Sequence, residues 1–297
     1  LHYLEVSRSA ALLATLPETA DREHLRSLVL SLRPGTLREM ALHIWPDGEI
    51  LLRQYSPEDL DVSVAEIPIQ RIVRPFLEDS ELYQGLMRQN DERRRLFIRY
   101  LEQQGLASPT ERVALVDVGW RLTIHDMIAM AILASGGQPP IGFYFGIDDV
   151  RTDSRFGHKH GFMWDARGEG RWPRIEYITR IVEVFCSADK PRTCGYTSTD
   201  GRVTPDFFPD SQELLTSWGL KDIQAAILDA CDALSALGRP LPAESGWRKL
   251  LLRELLAEFW NSPTIDEVRA WGNFPFEIAS GSDRKAIPLY VASSPLA

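Results

Sequence analysis

Hydrophobic and polar positions alternate along this chain in three different ways. From Thr19 to about Gln104 the apolar residues fall at helical spacing, which predicts a front of packed helices. Asp21 and Glu23 stand early in one segment, and Ser56-Pro57-Glu58-Asp59 reads as an N-cap followed by proline at the first helical position. A long helix is expected over 80–104, where Leu82, Leu86, Phe97 and Leu101 share one face around a charged middle. Pro46-Asp47-Gly48 reads as a tight turn, and Ile50-Leu51-Leu52 as either a short strand or a continuation of the core.

The pattern changes at Arg112. Val113-Ala114-Leu115-Val116-Asp117-Val118 is a nearly continuous apolar run, as in strands buried in a parallel sheet. A helical stretch from Leu122 to Ser135 follows and stops at Gly136-Gly137 and Pro139-Pro140, and residues 141–147 then read as a second buried strand. Strand, helix and strand make a parallel βαβ unit. Gly161-Phe162-Met163-Trp164 predicts a further strand and 175–185 a helix.

Beyond these the pattern is helical again. Asp210 with Glu213 forms a capping-box pattern, and Leu220, Ile223, Ile227, Cys231 and Leu234 form a stripe ending at Gly238 and Pro240. Trp247, Leu251, Leu255 and Phe259 form another, and Thr264 with Glu267 caps a short third helix. Both stripes are expected to belong to the chain's own core. The predicted class is therefore α/β and helix-rich, with a small parallel Rossmann-like βαβ core between a helical front (1–108) and an α/β core with helical tail (109–297), or one continuous domain.

Composition narrows the function. In 297 residues, 44% are hydrophobic and 25% charged, which is ordinary for a packed globular chain. The formal charge of -9 disfavours nonspecific binding to nucleic acid or anionic lipid. Arg93-Arg94-Arg95 is expected to be a solvated helix face. No apolar run approaches the roughly 20 residues of a membrane span, and with no leader pattern a cytoplasmic location is expected. The opening Leu1-His2-Tyr3-Leu4-Glu5-Val6 reads like the interior of an element, so a segment upstream is expected. Cys186, Cys194 and Cys231 lack CxxC spacing and are expected to be reduced thiols. No cofactor motif is present: GxGxxG after a strand, GxxxxGK[ST], GxSxG and HExxH are all missing. His158-Lys159-His160 would place two imidazoles on one strand face, but no third ligand follows at metal spacing, so no metal is expected.

The candidate site is the handover from the first strand to its helix, residues 117–126, because ligands collect at the carboxyl edge of open α/β sheets. Gly119 permits a sharp turn, and the unpaired amides of Trp120 to Thr123 can receive a phosphate. Arg121 can pair with it bidentately, while Asp117 and His125 can exchange a proton or hold a sugar hydroxyl. The competing reading makes Asp117 a helix cap, Trp120 a core residue, and Arg121 and His125 surface polar groups.

Four stretches in order carry a resemblance: Tyr3 to Ala10, Val116-Asp117-Val118-Gly119-Trp120, Gly142 to Gly146, and Glu183 to Ala188 followed by Gly195-Tyr196. Together they resemble the C-terminal region of predicted HAD-superfamily hydrolases of bacterial surface-polysaccharide gene clusters, with similarity continuing to Gly272-Asn273-Phe274-Pro275-Phe276. The resemblance implies an upstream HAD domain or a glycosyltransferase as partner, and a role in making capsule, O-antigen or a related glycan. The family turn reads Gly-Trp-x-Gly-[Ser/Thr]-[Ile/Met]-Gln, and this chain has Leu122 for the second glycine and His125 for the glutamine. A bound sugar phosphate or nucleotide sugar would also meet Ser7, Arg8, Glu183, Ser187 and Tyr196 from the matching stretches. The alternative is a non-catalytic module that positions a HAD or glycosyltransferase partner.

Overall fold

The computed structural model describes residues 2–17, 20–32, 35–44, 49–148, 153–169, 182–188, 190–207, 217–236, 246–272, 274–276 and 287–288. Seven helices form the front: α1 (Arg8–Ala14), α2 (Arg22–Leu32), α3 (Leu37–Ile44), α4 (Glu49–Leu52), α5 (Pro57–Leu60), α6 (Ile69–Glu78) and α7 (Ser80–Gln103). The expected long helix is α7. Asp79 starts it by accepting from the amides of Glu81 at 2.8 Å and Leu82 at 3.1 Å, and Leu82, Leu86, Phe97 and Leu101 are all buried. Ile50-Leu51-Leu52 is a helical turn, α4, rather than a strand, and its Leu51 fills the front core beside Met40 and Ile72. The Pro46–Gly48 turn lies outside the described residues.

The arginine triplet on α7 departs from its expected exposure. Arg93 is pulled inward because its guanidinium donates to the carbonyls of Ile44 at 2.9 Å and His43 at 3.1 Å, closing the C-terminal end of α3. Burial lowers its pKa to about 10. Arg94 reaches the carbonyl of Leu16 and the carboxylate of Asp91, and only Arg95 is a solvated side chain, beside Glu92.

The middle is the expected parallel unit. β1 (Ala114–Trp120) is followed by α8 (Thr123–Ala134) and β2 (Ile141–Ile147), and β3 (Lys159–Asp165) follows a single 3₁₀ turn at Ser154–Phe156. The three strands pair in the order β1-β2-β3, both pairs parallel, with Asp117 opposite Tyr144 and Phe143 opposite His160. A short helix α9 (Ala166–Glu169) closes β3. The architecture is thus α/β, helix-rich, with a Rossmann-like core.

β4 (Thr193–Thr199) and β5 (Arg202–Phe207) form an antiparallel hairpin against α1 and α7. The Gln103 side chain splints β5, donating to the carbonyl of Val203 and accepting from its amide, both at 2.8 Å, as a neighbouring strand would. One core cluster crosses the change in sequence pattern at residue 108, joining Ala11, Phe97 and Tyr100 to Met127, Ile132, Tyr196 and Val203.

The tail contains α10 (Leu220–Ala236), α11 (Gly246–Asn261) and α12 (Ile265–Trp271), then two short strands β6 (Pro275–Phe276) and β7 (Ile287–Pro288). Thr264 and Glu267 form the expected capping box. The two longer stripes are helical but lie largely outside a core: Leu220 is buried, whereas Ile227, Cys231, Leu234, Trp247, Leu251 and Leu255 are exposed. α10 is held at its first turn, by buried Leu220 and by Gln224, which donates to the Ser187 carbonyl at 2.7 Å. α11 is held by Arg253, which donates to the Met163 carbonyl and lies 4.7 Å over the Trp164 ring. The Asp210–Glu213 cap, the stops at Gly238 and Pro240, and residues 175–181 lie outside the described residues, while 182–185 are helical.

Candidate functional site

β1 leaves the sheet through a backbone that few residues tolerate. Gly119 has φ 98°, Trp120 φ 76° and Leu122 φ 57°, so two bulky residues occupy left-handed conformations within four positions. Leu122 stands at the N-cap of α8 and supplies no side-chain acceptor, so the first amides of α8 have no cap. Arg121 between them is exposed, with no ion pair among the described residues. Thr123, the first helical residue, is half-buried.

Asp117 turns back on its own strand, and its carboxylate accepts from the Val118 amide at 2.7 Å. It is open to solvent, yet neighbouring protein crowds its carboxyl. Desolvation outweighs the stabilising amides of Val118 and Gly119 and raises its pKa above the ordinary carboxylate value. It does not cap α8. Cys186 is exposed at the surface, yet crowding by neighbouring protein first and the Asp117 charge second push its thiol up. Motif reasoning passed over Cys186, because a lone thiol has no spacing to read. Glu183 and Ser187 are half-buried on the 183–188 stretch, and the Ser187 hydroxyl donates to the Glu183 carbonyl at 2.7 Å.

Four expected ligand groups have framework roles instead. His125 is buried, with Nε2 2.6 Å from the Phe156 carbonyl and Nδ1 2.6 Å from the Tyr144 hydroxyl. A carbonyl only accepts, so Nε2 carries the proton and Nδ1 receives the Tyr144 O–H. Gly142 makes room for this bond, because a Cβ there would meet Tyr144 Oη at 2.9 Å and His125 Nδ1 at 3.0 Å. With both nitrogens engaged, His125 is a structural histidine and not the proton carrier the sequence suggested. The Trp120 side chain is buried with Trp164 and Ala166, its ring against Gly146, as the competing reading had it. Ser7 caps α1, accepting from the Ala10 amide at 3.1 Å and donating to the Thr193 carbonyl at 2.6 Å. Tyr196 is buried between Phe97 and Tyr100 and donates to the Glu5 carbonyl at 3.0 Å. Ser7 and Tyr196 thus tie the opening segment to β4, which aligns two of the resembling stretches by packing. Arg8 is exposed at the first position of α1.

Lys159 and Asp126, which motif spacing could not pair, meet beneath the sheet at 2.6 Å, with the Lys159 side chain only 3% exposed. Among the described residues no cluster of His, Cys, Asp and Glu could hold a metal ion, and no helix is long and apolar enough to cross a membrane.

The state of His125 sets a pH dependence. Burial is the largest cause lowering its pKa, so the unfolded chain takes up the proton first. The stability from neutral His125 is complete above the unfolded value of about 6.5 and falls as pH drops below it, by at most about 1.4 kcal/mol per pH unit. His125→Gln is expected to flatten urea-unfolding stability between pH 6.5 and 5 relative to the native chain. An unchanged slope would contradict the buried neutral imidazole.

No family model matches the chain, and no curated protein matches it significantly.

Proposed function

We propose that the turn at residues 117–123 binds the phosphate of a sugar phosphate or nucleotide-linked sugar, within a HAD-hydrolase-like protein of surface-polysaccharide synthesis. The observation that carries this reading is the strained turn itself. It holds left-handed conformations at Trp120 and Leu122 around an exposed arginine with no ion pair among the described residues, and it leads into an uncapped helix start. Strain of this kind persists where function requires the geometry. Among the described residues, the Trp120 indole nitrogen and one carboxylate oxygen of Asp148 at the same edge are buried without a hydrogen-bond partner. Arg121 and the amides of Thr123 and Ile124 would hold the anion, and Asp117 would accept from a sugar hydroxyl. With His125 engaged on both nitrogens, no imidazole base serves the site, which favours recognition over catalysis.

Calorimetry of the chain against UDP, UDP-sugars and hexose phosphates tests this. Binding is expected, with Arg121→Ala weakening it about tenfold or more while leaving the thermal midpoint unchanged, since Arg121 supports no described contact. Absence of binding across the panel would overturn it. That result would favour the second reading, an interaction module for a HAD or glycosyltransferase partner, for which the exposed stripes of α10 and α11 speak.

A further inference from the structure

Among the described residues, two surfaces of this chain lack the neighbour their chemistry requires. Parallel sheets are covered on both faces, because βαβ crossovers bring helices to each. Here α8 covers one face, where Tyr144 meets His125 and Lys159 meets Asp126. Residues two apart along the strands line the other face, where Val116 is 74% exposed, Phe143 46% and Phe162 54%. His160 stacks on Phe143 at 5.3 Å, and the Lys249 ammonium lies 5.9 Å from the Phe162 ring at the rim. The second surface is α10. Beyond its anchored first turn it is exposed all round, with Ile227 37%, Leu228 65% and Leu234 52% accessible. A helix of this length gains little stability alone in water, and the stripe it carries needs an apolar bed.

We infer that the open face of the β1-β2-β3 sheet receives α10 from a second copy of this chain, and that the two copies exchange these helices about a twofold axis. One symmetry operation covers both surfaces on both copies, without a third molecule. A bare strand face takes a helix, and α10 is a helix with a bare apolar stripe. The exposed fractions of these six apolar side chains amount to roughly 600 Å² per copy, hence about 1,200 Å² for the pair, the lower bound of a specific interface. The anchor at Leu220 and Gln224 makes α10 an arm held at its base, the form that exchange between copies requires.

Sedimentation velocity of the chain from about 1 to 100 µM tests this. A reversible monomer–dimer equilibrium is expected, and Val116→Asp and Leu228→Asp are each expected to weaken it on the order of 100-fold, because each alters both contacts of the pair. Both side chains are largely exposed, and circular dichroism melts matching the native chain show that the fold is kept. Mixing the two variants restores association, because the mixed pair keeps one contact with both partners native while neither variant alone keeps any. A chain monomeric throughout overturns the inference. So does a dimer that Val116→Asp leaves intact, since α10 would then pair with something other than the sheet. A mixture no more associated than its components overturns it as well.

Discussion

Replacing Gly119 by alanine is expected to destabilise the chain by about 3 kcal/mol or more, through two effects that act together. At φ 98° an L side chain is strained, and the added Cβ would lie 2.5 Å from the Gly146 carbonyl oxygen and 2.8 Å from the Tyr144 ring. Neither neighbour can retreat. Gly146 is main chain in the middle strand, and Tyr144 is fixed by its bond to His125. Gly136 provides the control, because it also has positive φ, 82°, but a Cβ there meets open space. Gly136→Ala is expected to cost only about 1 kcal/mol. Urea midpoints of the two variants measure the difference, and equal losses would mean that the crowding at Gly119 is absent in solution.

Asp126→Ala is expected to cost about 3 kcal/mol, because it strands the buried Lys159 ammonium without its partner. Lys159→Met removes the charge and keeps the volume, so it is expected to be near neutral. The double variant should recover most of the loss, since no buried charge then remains. A double-mutant cycle in urea isolates the coupling. An Asp126→Ala loss below about 1 kcal/mol would show that water reaches Lys159 and that the pair is worth no more than a surface one.

What the sequence made legible was what depends on one element at a time. The 3.6 spacing of Leu82, Leu86, Phe97 and Leu101 suffices for α7, the continuous apolar runs for β1 and β2, and Thr264 with Glu267 for the start of α12. The turn after β1 was visible for the same reason, since Gly119 announces a conformation its neighbours cannot adopt cheaply. The roles within it were not. His125 owes its state to Tyr144 and to the carbonyl of Phe156, and Arg93 to the end of α3, partners that no local spacing reveals. A stripe such as Leu220 to Leu234 shows that a helix has an apolar side, but not what will lie against it. The same holds for Val116 and Phe143, whose run reads as buried on both faces although one face is open.

The splint that Gln103 lays along β5 joins the last turn of the helical front to a hairpin about a hundred residues later, above a shared cluster of Phe97, Tyr100 and Tyr196. The sequence changes character near residue 108, but the energetics do not divide there. A fragment beginning at that point would carry half a core and an unguarded strand edge. Whatever longer assembly the chain serves in, front and middle therefore travel as one inheritable block.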